Sequence, residues 1–250
     1  MPHFLIEKEN IKDNFIYVEE PELLHHLVSV LRVKINETLK FIDIDKNVYS
    51  ARVLEVSKKK LAAEIIEKVK SRRELGFKLY LAASILKNDA QNLLIANATE
   101  LGIKGFYPFV SDFSTVKKDF VKNKIEKFQK ISNESFKQCE RADIMQVYEV
   151  LPLDFILGKF KQENVIIFAE RFENTDILDA VKDIDTEGEI LCVTGPEGGF
   201  SDREFEYFKK NGYKMATLGS LIFRAPNAVT AGVSRVIFAL ELKNRGKNEG

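Results

Sequence analysis

The polar residues best placed for chemistry sit at the ends of three apolar runs. Glu170 and Arg171 follow the run 165–169. Glu197 lies inside Gly195-Pro196-Glu197-Gly198-Gly199, just after the run 190–193. Arg224 follows the run 213–218 and Gly219. In an open α/β sheet, ligands bind at the carboxyl ends of strands. These glycine-bearing loops match neither phosphate-binding pattern, GxxxxGK[ST] or GxGxxG, and no GxSxG nucleophile elbow is present. The only histidines are His3, His25 and His26, without metal-ligand spacing. That removes Ser-His-Asp triads and most zinc chemistry from the C-terminal part. What remains is a site that holds a ligand through main-chain groups and stabilises a developing charge with an arginine. Such a site suits group transfer from a bound donor better than hydrolysis.

The flanking sequence supplies the elements that would position these groups. The run 190–193 has the length and β-branching of a buried strand, and the glycine–proline loop after it cannot continue one. Ser201 stands three residues before Glu204, a capping box opening a helix with Phe205 and Phe208 inward and Gly212 at its end. A second strand, 213–218, runs to Gly219. A last helix, 227–242, carries Val229, Val233, Val236, Ile237 and Leu240 on one face, and its first turns hold Ala228, Thr230, Ala231, Gly232 and Ser234. Small residues there let another backbone come close, from a ligand or a partner subunit. Upstream, 79–86 reads as a central parallel strand, 87–89 as its loop and 90–101 as a helix. A strand at 105–110, a basic helix at 117–140 and a strand at 165–169 follow. This alternation predicts an α/β domain with a mainly parallel sheet.

The first seventy residues read differently. Short strands at 2–7 and 15–19 precede a helix opened by Pro21, with Leu23, Leu24, Leu27, Val30 and Leu31 at helical spacing. A strand at 38–44, a turn at Asp45-Lys46-Asn47 and a partner strand at 48–56 form a hairpin. The stretch 61–69 is a further strand or a short helix. This pattern predicts a small β-barrel. The charged, aperiodic stretch 68–77 marks the boundary, giving domains over 1–70 and 75–245.

Composition places the chain among ordinary globular proteins, with 45% hydrophobic and 30% charged residues. No apolar run approaches a membrane span, and the N-terminus lacks the pattern of a signal peptide. Cys139 and Cys192 are far apart, as expected in a reducing cytoplasm. Basic and acidic residues balance at 38 each, so a nucleic-acid partner must be sought in their distribution. Between positions 58 and 78 eight basic residues face three acidic ones, and between 117 and 141 eight face four. Each run reads as a solvated face; two of them around one candidate site also fit a phosphate-tracking surface.

Four motifs in order carry a resemblance that covers the whole chain. They are His25, Leu31 and Arg32; Lys87, Asp89 and Thr99-Glu100-Leu101-Gly102; Glu134, Gln138, Cys139 and Arg141; and Gly195 through Ser201 with Glu204, Leu218-Gly219, Ile222-Phe223-Arg224 and Ala228. Together they resemble the RsmE family of SPOUT-class methyltransferases, which methylate N3 of a uracil in 16S ribosomal RNA. The resemblance implies an α/β fold, a PUA-like N-terminal β-barrel followed by a SPOUT domain with a C-terminal trefoil knot. It implies S-adenosylmethionine bound by Ala169, Glu170, Thr194, Gly195, Pro196, Glu197, Gly198, Gly199, Leu218, Gly219, Ile222, Arg224 and Ala228. Arg224 would serve the charge role. Glu197 would be a base or a loop-orienting group. His25, Arg32, Lys87 and Arg141 would contact RNA. The implied partners are the small ribosomal subunit and a second copy of the chain, in the cytoplasm, with no metal and no membrane. Three places depart from the family pattern: Ala225-Pro226-Asn227-Ala228 replaces a segment bearing a carboxylate, Asn97 replaces a lysine, and Phe113 replaces an arginine. These departures motivate one alternative, a non-catalytic RNA-binding assembly factor of the same fold; a further alternative keeps the chemistry and changes the target to another RNA.

Overall fold

The computed structural model describes residues 3–71, 74–116, 124–139, 141, 143–169 and 175–248. The chain divides into two compact units, Met1–Glu74 with Phe136–Asp143, and Leu75–Ser135 with Ile144–Gly250.

In the first unit, β1 (His3–Leu5), β2 (Ile11–Lys12), β3 (Phe15–Val18), β4 (Thr38–Ile42), β5 (Asn47–Val56) and β6 (Leu61–Lys70) form one sheet in the order β1-β4-β5-β6-β3-β2. The ambiguous stretch after position 60 is thus a strand, held by antiparallel pairing to β5 and β3. Between β4 and β5, the Asp43 carboxylate accepts hydrogen bonds from the Asn47 amide at 2.9 Å and the Tyr49 hydroxyl at 2.8 Å. Those bonds let Lys46 adopt a left-handed φ of 66°. Helix α1 (Pro21–His25) runs into a single π-helical turn, His26–Val30. The wider turn, with the Leu31 amide bonding the His26 carbonyl at 2.9 Å, breaks the 3.6-residue stripe. Leu23, Leu24 and Leu27 are buried, but Val30 and Leu31 are 58% and 44% exposed, so the apolar face ends earlier than their spacing predicts.

The second unit contains β7 (Lys78–Ser84), α2 (Asn88–Glu100), β8 (Gly105–Phe109), the part of α3 (Ile125–Cys139) up to Ser135, β9 (Gln146–Val147), α4 (Leu153–Leu157), β10 (Val165–Phe168), α5 (Ile177–Ala180), β11 (Glu189–Thr194), α6 (Asp202–Lys210), β12 (Lys214–Ala216) and α7 (Ala225–Asn248). Its sheet has the order β12-β10-β11-β7-β8-β9, and every pairing is parallel. Helix α2 begins at Asn88, so Lys87 is its N-cap and the expected loop at 87–89 is a helical turn. The predicted basic helix is seen as α3; its expected start at 117 lies outside the described residues. The strand expected at 213–218 is three residues long and lies on the sheet edge, with one neighbour, β10. Helix α7 starts two residues earlier than expected, with Pro226 in the first turn, where a missing N–H removes no helical hydrogen bond.

The small residues of α7 have a partner within the chain. A β-carbon at Gly232 would come within 2.6 Å of the Phe168 ring at the end of β10. Gly232 therefore faces the core of its own unit. Ala in mid-helix normally gains about 0.5–1 kcal/mol over Gly. Here overpacking of about 1–3 kcal/mol opposes that gain. Gly232→Ala is expected to lower stability by about 1–2 kcal/mol in denaturant unfolding, and Phe168→Leu in the same chain should recover part of the loss.

Candidate functional site

Strands β10, β11 and β12 end side by side, with Phe168 in register with Thr194 on one side and Ala216 on the other. After β11 and β12 the chain turns away from the sheet, and the first turn of α7, with Ala225 and Ala228, closes the space left between. Two of the turns use a left-handed backbone, Gly199 at φ 78° and Gly219 at φ 93°, where a side chain would be strained. The second is fixed by the Thr217 hydroxyl, which accepts from the Gly219 amide at 3.1 Å. The Arg235 guanidinium of α7 donates to the Leu218 carbonyl.

The result is a pocket of about 150 Å³. Among the residues expected at a ligand, Ala169, Thr194, Gly195, Pro196, Glu197, Gly199, Leu218, Ile222 and Ala228 line it. Gly198 and Gly219 shape the loops without lining the pocket, and Glu170 lies outside the described residues. Arg224 is exposed on the chain between two lining residues, Phe223 and Ala225, and its carbonyl accepts from the Ala228 amide at 2.8 Å. Phe168, Phe205 and Ala225 line the pocket without having been expected there, and Phe200 and Phe223, which stand in the family motif, line it without having been assigned to the ligand. Phe168 and Phe205 carry the apolar signal of a core; only proximity to the expected loops points to the pocket.

The lining is mostly apolar, with one notable polar atom. The Thr194 hydroxyl is buried and has no hydrogen-bond partner among the described residues. An unpaired buried hydroxyl costs about 1–3 kcal/mol, so this atom marks where a bound polar group would be gained. Glu197 is exposed on the pocket rim. Cys192, two residues before Thr194, is fully buried, and that burial pushes its thiol well above the usual range, so it is inert. Among the described residues, no group of three or more His, Cys, Asp or Glu could hold a metal ion, and no helix is long and apolar enough to cross a membrane.

The β11–α6 loop is tied to the β8 loop. Ser201 caps α6 and Glu204 completes the capping box, its carboxylate accepting from the Ser201 amide at 2.8 Å. The same carboxylate accepts from the Ser111 hydroxyl at 2.8 and 3.0 Å. Asp112 in turn accepts from the Ser201 hydroxyl at 2.5 Å and from the Arg203 Nε at 3.1 Å.

The expected RNA-contacting residues separate by exposure. In the first unit His25 and Arg32 are exposed, and Arg32 takes a left-handed φ of 54° just after Leu31, the residue that caps the π turn. Arg141 is 5% exposed, and burial lowers the pKa of its guanidinium, so it is not laid out on the surface as a phosphate contact would be. Lys87 is exposed in the second unit, beside the end of β7. Asn97, on α2, donates to the Thr230 hydroxyl on α7 at 2.9 Å, so this departure from the family pattern joins two helices.

The chain is similar to proteins of known family. A family described as RNA methyltransferase domain matches residues 73–237, and one described as RNA methyltransferase PUA domain matches residues 19–66. The ribosomal RNA small subunit methyltransferase E of Bacillus subtilis (strain 168) is 29% identical over 97% of this chain and 98% of its own. The protein of that name in Mesomycoplasma hyopneumoniae (strain 232) is 31% identical over 90% of this chain and 93% of its own. A crystal structure of a ribosomal RNA small subunit methyltransferase E from Neisseria gonorrhoeae, bound to S-adenosyl methionine, has the same fold. It superposes with a TM-score of 0.80, at 24% identity, over 94% of this chain and 95% of that one.

The loop brace has a pH signature. Hydrogen bonds from Arg203 and Ser201 hold the Asp112 carboxyl below its ordinary value of 3.8. A carboxylate whose folded value is depressed contributes stability that is complete above the ordinary value and is lost as pH falls through the folded one. Asp112→Asn is therefore expected to cost about 0.5–1 kcal/mol at neutral pH, with wild type and variant converging in acid when both are unfolded by denaturant.

Proposed function

The chain belongs to the RNA methyltransferase family, and from that premise we propose that it transfers a methyl group from S-adenosylmethionine to N3 of a uridine in 16S ribosomal RNA of the small subunit. The carrying observation is the pocket at the ends of β10, β11 and β12, which falls inside the matched segment. The relatives' names point to RNA of the small ribosomal subunit, and the motif resemblance to N3 of a uracil within it.

The residues present fit S-adenosylmethionine. Phe168, Phe200 and Leu218 offer apolar walls, the loops offer main chain, and the Thr194 hydroxyl offers an unsatisfied buried partner for a polar group. Bound there, the group supplies an electrophilic methyl on a sulfonium. The rest of the chemistry falls to the chain. Uracil N3 is a poor nucleophile until its proton leaves, and the charge then spreads to the two flanking carbonyl oxygens. Arg224 stands at the rim, free to reach those oxygens once RNA covers the mouth and excludes water. Glu197, on the same rim, is the one carboxylate among the described residues that line the pocket, there to take the proton or to hold its loop in place. Holding the base in line can remove up to roughly 7–11 kcal/mol of barrier in ideal cases. His25, Arg32 and Lys87 track the RNA backbone from exposed positions.

The finer architecture belongs to the same reading. The first unit is the RNA-binding barrel, over 1–70, and the second, over 75–245, the methyltransferase domain. The C-terminal end of the second unit threads through a loop as a trefoil knot, and the bond from Arg235 of α7 to the Leu218 carbonyl lies where the chain would pass. The enzyme works as a homodimer in the cytoplasm, where its substrate is. Exposed Leu93 on α2 and exposed Phe238 and Leu242 on α7 support a covered face there.

The test is methyl transfer from labelled S-adenosylmethionine to small subunits and to naked 16S RNA, with 3-methyluridine mapped by mass spectrometry. Transfer to a single uridine is expected. Binding of the donor without transfer would favour the non-catalytic assembly factor, and label in another RNA the third reading. Arg224→Ala is expected to slow transfer by about a hundred- to a thousand-fold. Thr194→Val is expected to keep or raise the melting temperature, because it removes an unpaired hydroxyl, while weakening S-adenosylmethionine about tenfold in calorimetry.

A further inference from the structure

An exposed aromatic ring stands next to the pocket and has no part in forming it. Phe113 is 54% exposed, although its ring is one of the most apolar side chains available. It sits at the tip of a β-turn in which the Ser114 amide bonds the Ser111 carbonyl at 3.0 Å. A turn tip on a loop is normally mobile. This one is braced on both sides. The Ser114 hydroxyl shares a hydrogen bond with Ser84 at 2.7 Å and accepts from the Ser111 amide at 2.8 Å. Ser111 and Asp112 are fastened to Glu204, Ser201 and Arg203 at the start of α6. The ring is also next to the pocket rim. A β-carbon at Gly198 would lie 3.2 Å from the Phe113 β-carbon, and the residues on either side of Gly198, Glu197 and Gly199, line the pocket.

We propose that Phe113 is the stacking platform for the target uracil, holding the unstacked base flat at the mouth of the pocket. The proposal rests on the methyl-transfer reading. Proteins that read single-stranded RNA splay bases out and stack them on aromatic side chains. A ring held by its turn loses little further freedom on binding, so most of the stacking contributes to affinity. Stacking also tolerates the loss of the N3 proton, because it uses the face of the base and leaves its edge free. The glycine at position 198 keeps the space beside the ring clear.

Stacking acts equally on substrate and transition state, so its removal raises KM and leaves kcat nearly unchanged. Phe113→Ala is expected to raise the KM for RNA about tenfold, with S-adenosylmethionine affinity unchanged because Phe113 does not line the pocket. Phe113→Trp should restore the KM. The chain contains no tryptophan, so that variant also carries a single fluorophore at the proposed platform. Its emission should be quenched by RNA containing the mapped uridine and not by the same RNA with an abasic nucleotide at that position. An unchanged KM in Phe113→Ala, or equal quenching by the abasic RNA, overturns the proposal while leaving methyl transfer intact. A wild-type protein that binds S-adenosylmethionine but methylates no RNA overturns the functional reading, and the platform with it.

Discussion

The pocket depends on how closely one helix can approach the end of one strand. Gly232 of α7 lies against the Phe168 ring at the end of β10, with no room for a β-carbon between them. That approach brings the first turn of α7, with Ala225 and Ala228, to the ends of β10, β11 and β12. Any larger residue at position 232 would lift the helix by the width of a methyl group or turn the ring. Since Phe168 is itself part of the wall, either adjustment would reshape the pocket. Packing and ligand geometry are therefore set by the same contact.

A second constraint is polar and acts at the opposite rim. The Glu204 carboxylate completes the cap of α6 and also accepts from Ser111 across the sheet. A capping box contributes on the order of 1 kcal/mol to its own helix. Its larger effect here is geometric: one half-buried carboxylate fixes the β11–α6 loop and the β8 loop in a common frame. Phe168 and Gly232 hold one wall of the pocket by contact; Glu204 holds the other by hydrogen bonds. The two devices share no residue, so loop position at the rim is not tied to core packing beneath it.

Much of this was legible from local pattern. The spacing of Ser201 and Glu204 is enough to place the start of α6, and the apolar run before Gly195 is enough to place β11. The loops that line the pocket could likewise be located from their glycines and from the family resemblance. What could not be read was anything set by residues distant in sequence. The small residues of α7 signalled a close approach, but Phe168, their partner, is far upstream. The second role of Glu204 required knowing that β8 ends beside α6. Phe200 and Phe223 carry the same apolar signal whether they face a core or a cavity. Val30 and Leu31 fell off the predicted stripe because a single π turn changed the helical phase, and nothing in the residue types announces that turn.

The wholly parallel sheet has a consequence for how the chain acquires its shape. Strand β7 pairs Lys78 with Glu189 of β11, and β10 cannot be flanked on both sides until β12, at Lys214, has been made. Such pairings close long loops before they are rewarded, which slows folding. The strands of the first unit all lie between His3 and Lys70, so that sheet has its partners at hand much sooner. During synthesis β7 gains β8 on one edge early, but its other edge must wait, apolar and unpaired, until β11 has been made. This is the interval in which the protein is most exposed to aggregation and most dependent on chaperones.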